Sequence, residues 1–370
     1  MPLNILIAPD KFKGTLTAPE AAAAMARGWA MAKTEDQLVQ LPISDGGDGF
    51  GPLLAGILKG KRFIVETRNA AGHAVDAEFW ITPDGIALIE SANIIGLAML
   101  EPRDRRPLET DSTGLGIVLQ EAIKAGASRA IVGIGGSATN DGGFGMARQL
   151  GWQFLDAAET EITHWPDLAQ LATIRKPDDI CGFKAITVAV DVQNPLLGAE
   201  GCTRVYGPQK GLAAEDFLEA ESALQRLAEL WRTQTGEEAA NLTGSGAAGG
   251  LGFGLHCFAG AIIRPGFELF AEASKLEAQL AAADVVLTGE GAMDRQTVMG
   301  KGVGELAKLA HHKGCDCIGL AGILEDPEPL EERFVTCRAL TELTDAQNAQ
   351  QNAAEWLEKL AHETALNYRN

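Results

Sequence analysis

The residues of this chain that could do chemistry sit in short polar clusters on glycine turns. Gly135-Gly-Ser-Ala-Thr-Asn-Asp-Gly-Gly143 offers Ser137, Thr139, Asn140 and Asp141 together. Two hydroxyls, an amide and a carboxylate on a backbone that can approach a ligand closely suit a phosphate, a metal ion or a small polyol. Ser44-Asp-Gly-Gly-Asp-Gly49 places Asp45 and Asp48 around a glycine pair, where a turn has no need of two carboxylates. Beside an anionic ligand such a pair is costly unless a cation lies between, and Mg²⁺ is the cation that phosphoryl transfer uses. Glu290 and Asp294, with Gln296 and Lys301, follow Gly289 in a third cluster and add two more candidate metal ligands. Asp10, Lys11 and Lys13 lead into Gly14, while Asp191 and Asn194 follow a further apolar run.

Strands have to deliver these clusters. The β-branched run at 129–134 ends at the first of them, and apolar runs at 4–8, 38–42, 186–190 and 284–288 end at the others. In open α/β sheets ligands sit outside the carboxyl ends of the strands, so polar strand ends of this kind imply one composite site. Thr17-Ala-Pro-Glu20 is a capping box with proline in the first turn and predicts a helix over 21–31. Further helices are expected at 115–125, 144–150, 215–231 and 353–366, and strands at 285–288, 317–320 and 335–340. Residues 61–68, 75–82 and 86–90 read instead as an antiparallel meander, its last turn made by Pro83-Asp-Gly85. The pattern predicts two α/β domains. One is Rossmann- or flavodoxin-like, with a mainly parallel sheet built from both chain ends (1–59 and 265–370); the other is inserted at 60–264 and has a mixed sheet.

Composition narrows the function. A net charge of −19 over 370 residues works against nucleic acid and against an anionic membrane surface. No stretch approaches the ~20 apolar residues of a membrane span, and the first residues lack a signal-peptide pattern, so a cytoplasmic protein is expected. Six scattered cysteines without a CxxC pair, and histidines in no ligand spacing, point to buried thiols rather than zinc. No GxSxG elbow is present. The glycine-rich stretch 244–254 has no GKS or GKT ending; Gly246, Gly249 and Gly250 could serve a helix N-terminus that meets phosphates, or close helix packing. Lys210, in Tyr206-Gly-Pro-Gln-Lys-Gly211, reads as a turn lysine whose default is solvation. Lysines, carboxylates and glycine loops together favour phosphoryl transfer to a small molecule.

Seven blocks then carry a family likeness: 8–14, 44–49, 135–143, 191–196, 207–211, 246–250, and 288–291 through Gly300-Lys301. In this order they resemble the bacterial glycerate kinases of the glyoxylate and glucarate pathways, over almost the whole chain. The family more often shows Ala-Asp-Gly-Gly-Glu-Gly at the second block, a swap that keeps the carboxylate. It more often shows Ser where this chain has Lys11, which makes Lys13 the safer anion ligand.

The resemblance implies phosphorylation of D-glycerate by ATP with Mg²⁺, with 2-phosphoglycerate expected and 3-phosphoglycerate the other product. On that reading Asp191 is the base, and Lys13 and Lys301 act on the anions at the reacting centre. Asp10, Lys11, Ser137, Thr139, Asn140, Asp141 and Asn194 line the acceptor. Lys210, Gly246, Gly249, Gly250, Gly289, Glu290 and Gln296 meet the nucleotide, and Asp45, Asp48, Glu290 and Asp294 hold the metal. The alternatives are a kinase or phosphatase for another small hydroxy acid, or a ligand sensor without activity. Monomer and homo-oligomer are both open.

Overall fold

The computed structural model of the chain describes residues 2–12, 14–178, 182–299 and 302–368. Eleven strands build its two main sheets: β1 (Asn4–Ile7), β2 (Gln37–Gln40), β3 (Lys61–Arg68), β4 (Ala74–Ile81), β5 (Ile86–Glu90), β6 (Arg129–Gly133), β7 (Ala185–Val190), β8 (Ile262–Pro265), β9 (Val285–Thr288), β10 (Asp316–Ala321) and β11 (Thr336–Ala339). The chain divides into two compact units, one of Met1–Asp45 with Phe267–Asn370, the other of Gly46–Gly266.

The first unit holds a sheet of order β11-β10-β9-β1-β2, parallel at every pairing. Taken in the order that the strands occur within the unit, this is the 2-1-3-4-5 order of doubly wound folds. All four residues of β9 are buried, as befits the centre of a sheet covered on both faces. The capping box forms as the sequence indicates: Thr17 N–H donates to Glu20 Oε2 at 2.8 Å, and Glu20 N–H donates to Thr17 Oγ1 at 3.3 Å. It starts the helix Ala18–Ala32, whose Ala21, Ala22, Met25 and Trp29 are buried. That helix packs on Ala353–Asn367 at close range, because a Cβ on Gly28 would run into the Glu358 carbonyl.

The second unit holds a mixed sheet of order β8-β7-β6-β5-β4-β3. β3, β4 and β5 form the expected antiparallel meander, and β5, β6, β7 and β8 run parallel. The helix Phe50–Leu58, which the sequence grouped with the first domain, falls here. Its apolar side explains the difference: the Phe50 ring lies against Gly133, and Gly51 sits against Trp80 and Glu90. Among the described residues, no helix is long and apolar enough to cross a membrane.

Gly28→Ala puts a methyl group where a rigid backbone carbonyl stands. The expected outcome is a loss of ~1–3 kcal/mol of stability, read as a lowered midpoint in denaturant unfolding; an unchanged midpoint would show that the two helices can part without cost.

Candidate functional site

In the first unit the strand order reverses between β1 and β9, the place where ligands bind doubly wound sheets. Asp10 and Glu290 follow the carboxyl ends of those two strands. Asp10 N–H donates to the Gly289 carbonyl at 2.9 Å, extending the pairing beyond the strands. Thr288 Oγ1 donates back to the Ala8 carbonyl at 2.7 Å. Gly289 itself serves packing, since a Cβ there would strike the Leu320 carbonyl of β10.

Asp10 is only 9% exposed. Burial and then the Asp45 carboxylate push its pKa up to about 7; Glu290 adds to the rise, while Lys11 opposes it through its N–H and its charge. Asp10 Oδ1 accepts from the Lys11 N–H at 2.7 Å. Glu290 Oε1 accepts from the Thr297 hydroxyl at 2.8 Å. Asp294 Oδ1 accepts from the N–H groups of Gln296 at 2.6 Å and Thr297 at 3.3 Å, so one of its oxygens shapes the turn. The Gln296 side chain is exposed. The carboxylates of Asp45 and Glu290 thus both lie close enough to act on Asp10. Among the described residues no three His, Cys, Asp or Glu side chains are arranged to hold a metal ion alone, so a cation here would take part of its shell from phosphate oxygens or water. Lys13 and Lys301 lie outside the described residues.

In the second unit β6 and β7 are neighbours, which puts the 135–143 loop and Asp191 at one edge of the sheet. Ser137 Oγ and Thr139 Oγ1 are 2.9 Å apart, and Thr139 N–H donates to Ser137 Oγ at 3.2 Å. Asp141 is fully buried. Its carboxylate accepts from the Ser112 N–H (2.9 Å), the Ser112 hydroxyl (2.7 Å), Gly143 N–H (3.1 Å) and Gly145 N–H (2.9 Å). Burial and the nearby Asp111 raise its pKa against those bonds. Its place is a clamp at the start of the helix Phe144–Gln149. Asn140 Nδ2 donates to Thr203 Oγ1 at 3.1 Å, and its buried Oδ1 has no hydrogen-bond partner.

Lys210 corrects the sequence reading of a solvated turn. It is the last residue of the helix Cys202–Lys210 and is 3% exposed. Thr203, Gly207 and Lys210 fall at i, i+4 and i+7, one face of the helix, and that face is buried. Its ammonium donates to the Thr139 carbonyl at 2.7 Å. Burial pushes its pKa down to about 8, with Cys202 and Asp141 pulling the other way.

The glycine-rich stretch also serves packing. A Cβ on Gly249 would meet the Thr139 carbonyl, on Gly250 the Cα of Gly142, and on Gly246 the Pro195 carbonyl. Gly249 and Gly250 are in the left-handed region at φ 72° and 83°. Asp191 is exposed; beside it, Tyr206 OH donates to Asn194 Oδ1 at 2.6 Å. Burial, then the Asp191 charge, push the Tyr206 hydroxyl up to about 12. Asp48 is exposed, with Oδ1 over Gly136. Residues the sequence reading passed over include Glu90, which accepts from Gly49 N–H at 2.7 Å and Gly51 N–H at 3.1 Å, and also Ser112, Thr203, Tyr206 and Thr297. A charge closing the apolar run 86–90 was the one available signal.

A family model described as the glycerate kinase family matches residues 5–369. A protein from Halalkalibacterium halodurans named glycerate kinase is 39% identical, covering 87% of this chain and 86% of its own. One from Escherichia coli named glycerate 2-kinase is 37% identical over 88% of this chain and 86% of its own. A crystal structure from Salmonella typhimurium LT2, provisionally described as glycerate kinase 2, matches with a TM-score of 0.82 at 36% identity, covering 99% of this chain and 98% of that one. The chain is therefore a kinase built on two α/β units, with a small molecule and a nucleotide as its substrates. It belongs to the glycerate kinase family.

Asp10 provides a pH test. Its folded pKa lies above its ordinary 3.8, at about 7, so the folded state binds the extra proton in that window and stability falls as pH rises through it. Asp10→Asn keeps an acceptor for the Lys11 N–H and cannot ionise. It should match the parent near pH 4 and exceed it by roughly 1–3 kcal/mol at pH 8, measured by denaturant unfolding. A pH-independent difference would show that Asp10 titrates normally.

Proposed function

We propose that the chain transfers the γ-phosphoryl group of ATP to D-glycerate, with Mg²⁺, and that the product is 2-phosphoglycerate. The observation that carries this reading is the crowding of the buried Asp10 by the Asp45 and Glu290 carboxylates at the switch point of the first sheet. A buried carboxylate crowded by two others gains from a cation among them, and a metal–nucleotide complex supplies one. Asp45 and Glu290 are the proposed ligands, with Asp294 through its second oxygen and Asp48 as a further candidate on sequence grounds. Held there, Mg²⁺ would supply positive charge that neutralises the phosphate groups. Lys13 and Lys301 are the proposed cations for the acceptor carboxylate and the transferring group.

The 137–141 loop and Asp191, sharing one edge of the second sheet, are the proposed acceptor site. Ser137 and Thr139 supply hydroxyls there, and Asn194 is held by Tyr206. Transfer breaks the bond between the γ-phosphorus and the bridging oxygen of ATP and forms one to the 2-hydroxyl oxygen of glycerate. The hydroxyl proton passes to Asp191. Proton transfer of this kind contributes about 10²–10⁴-fold. The name of the Escherichia coli relative, glycerate 2-kinase, supports the 2-phosphate over the 3-phosphate.

Coupled ADP release with D-glycerate, and ³¹P NMR of the product, test the reading. Glycerate-dependent ADP and the 2-phosphate are expected; no ADP would overturn the activity, and the 3-phosphate the regiochemistry. Asp191→Asn should lower kcat at least tenfold with nucleotide binding retained, on the order expected for loss of a base. Near-normal turnover would remove it from the role. Asp45→Asn should raise the Mg²⁺ concentration for half-maximal rate, and an unmoved titration in folded protein would make Asp45 structural.

A further inference from the structure

Lys210 has no evident structural reason to be a lysine. An ammonium in an apolar interior costs more than a hydrocarbon of the same length, and such charges persist where something other than stability requires them. Among the described residues none forms a salt bridge to it: Asp141 and Cys202 act on it only at longer range, and Asp141 spends its oxygens on Ser112, Gly143 and Gly145. Among the described residues, its Nζ donates one hydrogen bond, to the carbonyl of Thr139 at 2.7 Å.

That carbonyl is held from two directions. Lys210 donates to it from the helix Cys202–Lys210, and the backbone of Gly249 lies so near it that no side chain fits between. The same helix takes hold of the next residue, Asn140, through Thr203 Oγ1 at 3.1 Å. Two grips from one helix, one near its start and one at its end, thus act on consecutive residues of the loop that carries Ser137 and Thr139.

We propose that Lys210 is a positioning residue, which holds the 137–141 loop in its working shape through the Thr139 carbonyl and thereby sets the affinity for the acceptor acid. The loop's role as acceptor site rests on the function proposed above. Lys210 touches neither substrate on this reading, which separates it from a phosphate ligand. A charged donor makes a hydrogen bond about twice as strong as a neutral one, so the grip weakens as the ammonium loses its proton. The groups facing it, Asp141 and Cys202, both favour the proton, and burial outweighs them. Below about pH 8 the buried charge costs stability, and that cost is lifted as pH climbs from about 8 towards the ordinary 10.5. Stability and grip therefore change in opposite directions over the same window.

Lys210→Met tests this in the full-length protein. The expected result is a melting temperature equal to or above the parent's, a KM for D-glycerate raised at least tenfold, and a KM for ATP within twofold. Backbone amide exchange in the peptide spanning 137–143 should rise severalfold, with peptides of the first sheet unchanged. The parent's KM for glycerate should rise above pH 8, and that of the variant should stay flat. A lowered melting temperature with kcat and both KM values worsened together, or with unchanged exchange at 137–143, would overturn the proposal. A raised KM for ATP alone would return Lys210 to the phosphates. Should Lys210→Met fail to fold, Thr203→Val removes the other grip and must show the same KM split and local exchange. Failure of the parent to turn over glycerate would sink the proposed function and the affinity claim with it. The exchange measurement would still decide whether Lys210 holds the loop.

Discussion

The second unit depends on the buried carboxylate of Asp141. A carboxylate out of contact with water is tolerable only when its oxygens are satisfied, and leaving such a group unpaired costs more than the bonds themselves contribute. Asp141 meets that condition with four donors from two separate stretches of chain, Ser112 on one side and Gly143 and Gly145 on the other. Ser112 relays the tie, its hydroxyl also accepting from Met146 N–H at 2.9 Å. The helices Thr113–Lys124 and Phe144–Gln149 therefore begin at a shared anchor, and the loop before the second of them has a fixed end. Thr139 and Asn140 could not be presented in one geometry if that end were free.

The glycines around this anchor follow from it. With the 139–143 backbone fixed, the start of the helix Ala247–Ala259 lies directly upon it: Gly142 N–H donates to the Gly249 carbonyl at 3.1 Å, and Gly254 lies against Gly143. Side chains at those positions would separate the two backbones, and the left-handed conformations at Gly249 and Gly250 add a second reason for glycine. Ala248 adopts the same region at φ 57° without that freedom, a local strain that the surrounding contacts must hold. Of the two readings the sequence left for Gly246, Gly249 and Gly250, close packing is the one these contacts support.

Periodic patterns were legible in the sequence, and placement in depth was not. The meander β3 to β5, the capping box at Thr17 and the strand runs at β6, β7 and β9 could be read because period and local chemistry determine them. The families of polar residues at strand ends were legible for the same reason. Lys210 was misplaced because a proline two residues before it suggested a turn, whereas Pro208 is accommodated within the helix and the buried face is set by Thr203 and Gly207. Asp141 resembled its neighbours Ser137 and Thr139 in type, and only the Ser112 contacts, from 29 positions away, assign it a different task. The boundary between units fell inside Asp45-Gly46, where composition changes least, because contacts of Phe50 and Gly51 decide it.

The two units answer opposite electrostatic problems, and this gives the sequence clusters their meaning. At the switch point of the first sheet, negative charge is left in excess: Asp45 and Glu290 raise the cost of ionising Asp10, and Lys11 offsets only part of it. At the edge of the second sheet the buried carboxylate of Asp141 is already saturated by donors, and hydroxyls and amides stand beside the exposed Asp191, with a buried ammonium behind them. A region with surplus acceptors suits a cation and whatever anion travels with it; a region of neutral donors suits a small polyol acid. A kinase that acts on a nucleotide and a small molecule can draw on both kinds of surface, and each suits a different substrate.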